Sequence, residues 1–162
     1  MTNIKSELFI QMVLTQWTTS NQRVEKFFEA FSEEQFKTEV APNANTAAWL
    51  LCHLTVTNDK LFSLLGIGKS LYPEFSERFD TNRNLFNPDS VSKNELNKIW
   101  ATVITELHEK FSAMTTDQWF EKHTAVSEDD FLKEPHRNRL NVLIGRINHQ
   151  SHHIGQLALL KK

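Results

Sequence analysis

Asn148-His149-Gln150-Ser151-His152-His153-Ile154-Gly155-Gln156, close to the C-terminus, is the stretch on which the reading of the chain turns. On a helix, residues four apart project about 40° from one another, so His149 and His153 share a face and two imidazoles can reach one ion. His152 lies three residues from His149 and competes for the same partnership, but it points about 100° away from His153. Gln156 continues the face, and Gly155 beside it would let another helix or a ligand approach closely. Gln156 and Asn148 are therefore candidate pocket residues, placed to orient water or substrate.

Working outward, this stretch belongs to a helix expected from just after Pro135 to the C-terminus, with Leu140, Leu143, Ile144, Ile147, Ile154, Leu157 and Leu160 at helical spacing. A third helix starts at Ser90 or Ser92 and ends near Met114, carrying Leu96, Trp100, Val103, Leu107 and Phe111 inward. A second begins after Pro42, capped by Asn45 or Thr46, and is stopped by Gly66 and Gly68. The first spans about Ser6 to Phe31 and weakens over its polar middle, Thr15 to Asn21. No strand-like alternation of useful length occurs, so the fold class is all-α.

Lys69 to Ser90 and Thr116 to Pro135 read as irregular crossing segments. The first is anchored by Tyr72, Phe75 and Phe79 and is long enough for a lid; together the two would bound a pocket at one end of the helices. Ser32-Glu33-Glu34-Gln35-Phe36 and Thr116-Asp117-Gln118-Trp119-Phe120 each read as a short capped turn ending in an aromatic plug.

His53 sits on the apolar stripe of the second helix, between Leu50 and Thr57. Alone it would be a neutral, hydrogen-bonded core histidine. With a histidine pair on another long helix, one shared ion accounts for all three polar groups, and the expected metal ligands are His53, His149 and His153. Three nitrogen ligands suit zinc, nickel, iron or copper rather than calcium or magnesium, with zinc or nickel leading. Gln150 occupies the position where a zinc-protease helix needs a glutamate base, and the Glu-x-x-His pairs of di-iron bundles are missing from the long helices. His152 and His123 are the candidates for a fourth ligand. Cys52, 100° around the helix from His53, reads as core, as do Trp17, Trp49, Trp100 and Trp119. Asp59, six residues beyond His53, need not face the site.

Composition narrows the partners. The 162 residues suit a single domain, 1–162, and 40% hydrophobic with 23% charged residues is ordinary for a globular chain. Eighteen basic and twenty acidic residues leave a net charge of −2, which gives no pull toward nucleic acid. No run is apolar enough to span a bilayer or to read as a signal peptide, and a single cysteine fits a reducing cytoplasm.

The pattern His149-x-x-x-His153-x-Gly155-Gln156, with His53 in Trp49-Leu50-Leu51-Cys52-His53-Leu54 about one hundred residues earlier, resembles the DinB-like (DinB/YfiT) superfamily of small bacterial metalloproteins. The resemblance covers nearly the whole chain. It implies a four-helix bundle with up-down-down-up connectivity, a three-histidine site completed by water and matched by His53, His149 and His153, and a homodimer. It further implies transfer of a low-molecular-weight thiol, such as bacillithiol or mycothiol, to a small electrophile. The alternatives are a metal-dependent hydrolase using metal-bound hydroxide and a non-catalytic metal- or ligand-binding bundle.

Overall fold

The computed structural model describes residues 4–79 and 86–160. The long helices are α1 (Ile4–Ala30), α3 (Ala47–Asp59), α6 (Lys93–Ala113) and α9 (Arg139–Leu157). Between them lie the short helices α2 (Glu33–Lys37), α4 (Leu61–Leu64), α5 (Pro73–Phe79), α7 (Thr116–Phe120) and α8 (Glu128–Lys133). Among the described residues there is no strand, only the isolated bridges Glu39 to Thr46 and Lys122 to Asn138.

Helix starts follow local chemistry. The first backbone N–H groups of a helix lack carbonyl partners, and a side-chain oxygen just ahead of them supplies one. Thr46 accepts from the Trp49 N–H at 3.2 Å, Ser92 from Glu95 at 3.1 Å and Asn138 from Asn141 at 3.0 Å. Thr46 and Ser92, rather than Asn45 and Ser90, are thus the caps of α3 and α6. The paired turns are full capping boxes: Ser32 and Gln35 exchange bonds, as do Thr115 and Gln118, one residue earlier than the sequence suggested for the second. Their plugs are Phe36 and Trp119, both buried, whereas Phe120 is exposed. Gly66 ends α4 at φ +67°, and the Ile67 N–H closes back on the Phe62 carbonyl at 2.9 Å, the left-handed helix stop that glycine favours.

Three expectations need correction. Lys69 to Ser90 is not wholly irregular: Pro73–Phe79 forms α5, because Phe75 and Phe79 four residues apart both drop into the core beside α3. Residues 80–85 of that segment lie outside the described residues. The segment 116–135 likewise contains α7 and α8. And α1 runs unbroken through Thr15 to Asn21, since Trp17, Ser20 and Asn21 are buried there.

The core divides into two apolar clusters. One gathers Val24, Phe27, Phe28, Leu50, Leu54, Leu96, Trp100 and Leu157; the other gathers Ile10, Val13, Trp17, Leu61, Val103, Leu107, Leu140 and Leu143. Three long helices contribute to both: α1 and α9 enter the second cluster first and the first cluster later, whereas α6 runs the opposite way, and α3 lies in the first cluster with α4 behind it in the second. Packing pairs α1 with α9, α9 with α3, α3 with α6 and α6 with α1.

Polar side chains join three of these helices between the clusters. The Gln150 amide, fully buried on α9, donates to Ser20 Oγ and Asn21 Oδ1 of α1, both at 2.9 Å, and accepts from Asn58 Nδ2 of α3 at 3.1 Å. The polar middle of α1 is therefore matched by polar groups on its neighbours, and every donor of Gln150 is used.

Candidate metal centre

His53 is the central residue of α3, and His149 and His153 stand on successive turns of α9, so the packing of α3 against α9 brings all three together. His149 Nε2 lies 3.0 Å from His53 Nε2 and 3.1 Å from His153 Nε2, and the three donor atoms all fall within 4.8 Å of one another. An ion with bonds of about 2.0–2.1 Å in tetrahedral geometry holds its nitrogens about 3.3 Å apart, within a few tenths of an ångström of the two contacts here. Three imidazole nitrogens aimed at one point cannot all satisfy each other by hydrogen bonding, because each neutral ring carries a single proton. One cation at that point satisfies every lone pair.

The neighbours prepare the rings for that role. The His153 Nδ1–H donates to Gln156 Oε1 at 2.7 Å, which fixes the tautomer and leaves the Nε2 lone pair facing the cluster. Trp49, one turn before His53, stacks on its ring at 4.9 Å between centroids and 6° between planes. Burial, then the neighbouring His153 and Arg146, pushes the His149 pKa down to about 4, so this ring is neutral at pH 7. Burial lowers that of His153 as well, against the Gln156 hydrogen bond, which raises it.

The other candidates are placed as follows. Asn148 is exposed on α9, next to His149 in sequence but a step around the helix. Gln156 touches His153 directly. His152 is exposed and meets only the edge of the His153 ring, while the Nδ1 of His123 accepts from the Ala125 N–H at 3.3 Å in the segment between α7 and α8. Neither belongs to the cluster, and among the described residues no carboxylate does either. Cys52 is sealed in the core, where burial pushes its thiol pKa up. The Asp59 carboxylate accepts the backbone N–H groups of Leu71 at 2.7 Å and Tyr72 at 3.1 Å, tying the end of α3 to the next segment. A Cβ on Gly155 would meet nothing within 4 Å, so no helix approaches there.

Sequence reasoning passed over two residues. Trp49, a core residue by its apolar character, is also the ring neighbour of His53 that its spacing of four marks. Arg146 was not singled out, although a cation on the α9 face one turn before His149 interrupts the run Ile144 to Ile147.

The fold and the cluster together define an all-helical protein with a three-histidine group that can hold a metal ion. The chain belongs to the DinB superfamily, whose sequence profile matches residues 16–157. It is similar in fold to a DinB-like protein from Bacillus cereus ATCC 10987, with a TM-score of 0.65 and 21% sequence identity over 91% of this chain and 87% of that one. No curated protein sequence matches it.

Proposed function

We propose that His53, His149 and His153 bind one divalent transition metal, zinc or nickel, and that the chain is a metal-dependent enzyme acting on a small molecule, most simply by transferring a low-molecular-weight thiol. The observation that carries the reading is the convergence of three Nε2 atoms, with the His153 lone pair held toward the cluster by Gln156. Bound there, such an ion supplies Lewis acidity with a coordination position left for a non-protein ligand, lowering the pKa of water or of a thiol toward neutrality. Two features of the chain favour a thiol cosubstrate over hydrolysis. Its one cysteine is buried and unreactive, so a sulfur nucleophile has to arrive from outside. Hydrolysis benefits from a general base, and no carboxylate among the described residues accompanies the histidines.

The arrangement proposed around this site is a four-helix bundle in up-down-down-up order, supported by the order in which α1, α3, α6 and α9 enter the two core clusters. The chain is proposed to work as a cytoplasmic homodimer. No helix among the described residues is long and apolar enough to cross a membrane.

Elemental analysis and equilibrium dialysis test the first step: wild-type protein holds one equivalent of metal, and His53→Ala and His149→Ala each lose it. Retention by both variants would remove the site. Metal-loaded protein is then given bacillithiol, mycothiol or glutathione with a model electrophile, and separately a panel of esters and amides. Metal-dependent conjugation supports thiol transfer, and turnover without thiol assigns hydrolysis instead. Neither activity leaves a binding module.

A further inference from the structure

α9 and the residue that follows α3 border a groove that none of the three histidines lines. Lys60, the residue that caps the end of α3, lies seven residues beyond His53, and Arg146 lies three residues before His149 on α9. Both line a groove of about 580 Å³ whose other walls include Ser70, Ser76 and Glu77 from the α5 region and Thr124 from the segment after α7. Residues of both crossing segments thus line one groove with Arg146.

Arg146 is the unusual member. It is half-buried, its Nε–H is sealed from solvent with no acceptor, and no carboxylate among the described residues pairs with its guanidinium. An uncompensated buried cation is costly, and desolvation alone pulls its pKa down to about 10. Its terminal nitrogens are not among the sealed atoms, and the side chain forms part of the groove wall. Among the described residues, the charged side chains of that wall are Lys60, Arg146 and Glu77, two cationic and one acidic. A guanidinium fork matches the paired oxygens of a carboxylate or phosphate. Residues three apart on a helix lie about 5–6 Å from each other at Cβ, so a group held by Arg146 is within a small molecule's length of His149.

We propose that Arg146 and the groove it lines bind the oxyanion, carboxylate or phosphate, of a small substrate whose reactive end lies at the three histidines. The anion subsite stands on Arg146 and the groove; the placement of the reactive end rests on the metal-site reading above. Glu77, which also lines the groove, disfavours a second anionic group there and selects ligands with one compact charge.

The experiment titrates metal-free protein with acetate, succinate, inorganic phosphate and the neutral control succinamide, following ¹H–¹⁵N and histidine ring NMR shifts. At least one anion is expected to bind saturably and to perturb the Arg146 and His149 signals, while succinamide does not. Carboxylate and phosphate arms separate the two sources of the oxyanion. Arg146→Gln should weaken binding about tenfold or more, the loss of one charge-assisted pair, and Arg146→Lys should restore part of it. Should Arg146→Gln not fold, Ser76→Glu adds a negative charge to the groove wall without touching the arginine and should abolish binding. No saturable anion binding, or binding unchanged in Arg146→Gln or in Ser76→Glu, overturns the subsite. Anion binding by a wild-type protein that takes up no metal would keep the subsite and remove the metal reading.

Discussion

A histidine ring binds metal through one nitrogen only when its other nitrogen is accounted for, and at His153 that account is Gln156. The glutamine was placed by sequence on the histidine face as a pocket residue; the fold sets its carbonyl on Nδ1 of the ring instead. Replacing Gln156 with Ala frees the ring to rotate and to place its proton on Nε2. Metal affinity is expected to fall about 10- to 100-fold while the fold survives. Competition with a chromophoric chelator, alongside a thermal melt of the metal-free protein, reads both effects. Unchanged affinity would mean that water serves equally well at Nδ1. His53 has a different support, the flat face of Trp49, which restricts the ring without engaging its nitrogens.

Among the elements, α9 carries two messages on neighbouring faces. His149 and His153 look toward α3, and Gln150 looks into the core, where it bridges α1 and α3. Because a buried amide is satisfied in only one rotation and register of the helix, this network sets how α9 sits against both partners and so where the histidines point. Gln150→Leu strands Asn58 Nδ2, Asn21 Oδ1 and Ser20 Oγ in the core. At about 1–3 kcal/mol for each unmade bond, partly offset by burying leucine, a net loss of about 2–4 kcal/mol is expected in urea unfolding. Asn58→Leu added to Gln150→Leu should return part of it, since the stranded amide leaves as well. A single-variant loss below about 1 kcal/mol would show that the network is not a determinant of stability. The polar stretch of α1 looked like a weak point of the helix in sequence. It is the half of this network that the helix contributes, and a partner 129 residues away cannot be inferred from local periodicity.

At the scale of the whole molecule, an apolar stripe lies exposed among the described residues. Ile4, Leu8, Phe9 and Met12 on the first turns of α1 are 78%, 60%, 46% and 57% exposed, and the first, second and fourth of them recur every four residues along one line. Exposed apolar residues scattered singly need no explanation, but a stripe along one helix is the form an interface takes. If the chain is a homodimer through this face, Leu8→Lys with Met12→Lys yields a monomer in analytical ultracentrifugation while leaving metal content unchanged. A variant that remains dimeric moves the interface elsewhere, and a monomeric wild type removes it.

What the sequence determined by itself was whatever repeats at short range. Helix faces, Ser and Thr caps, the glycine stop and the His149 and His153 pair all follow from spacings of three to seven residues, because each is decided by contacts within one or two turns. His53 was legible through its oddity, a polar ring on an apolar stripe. Tertiary structure alone decided the remainder: that α5 forms where Phe75 and Phe79 find a core, that Gln150 has partners on two other helices, and that Arg146 ends in a groove wall where no carboxylate among the described residues pairs with it. Those outcomes depend on which distant surfaces meet. Burial, which sets the cost of every unpaired polar group, exists only once they have met.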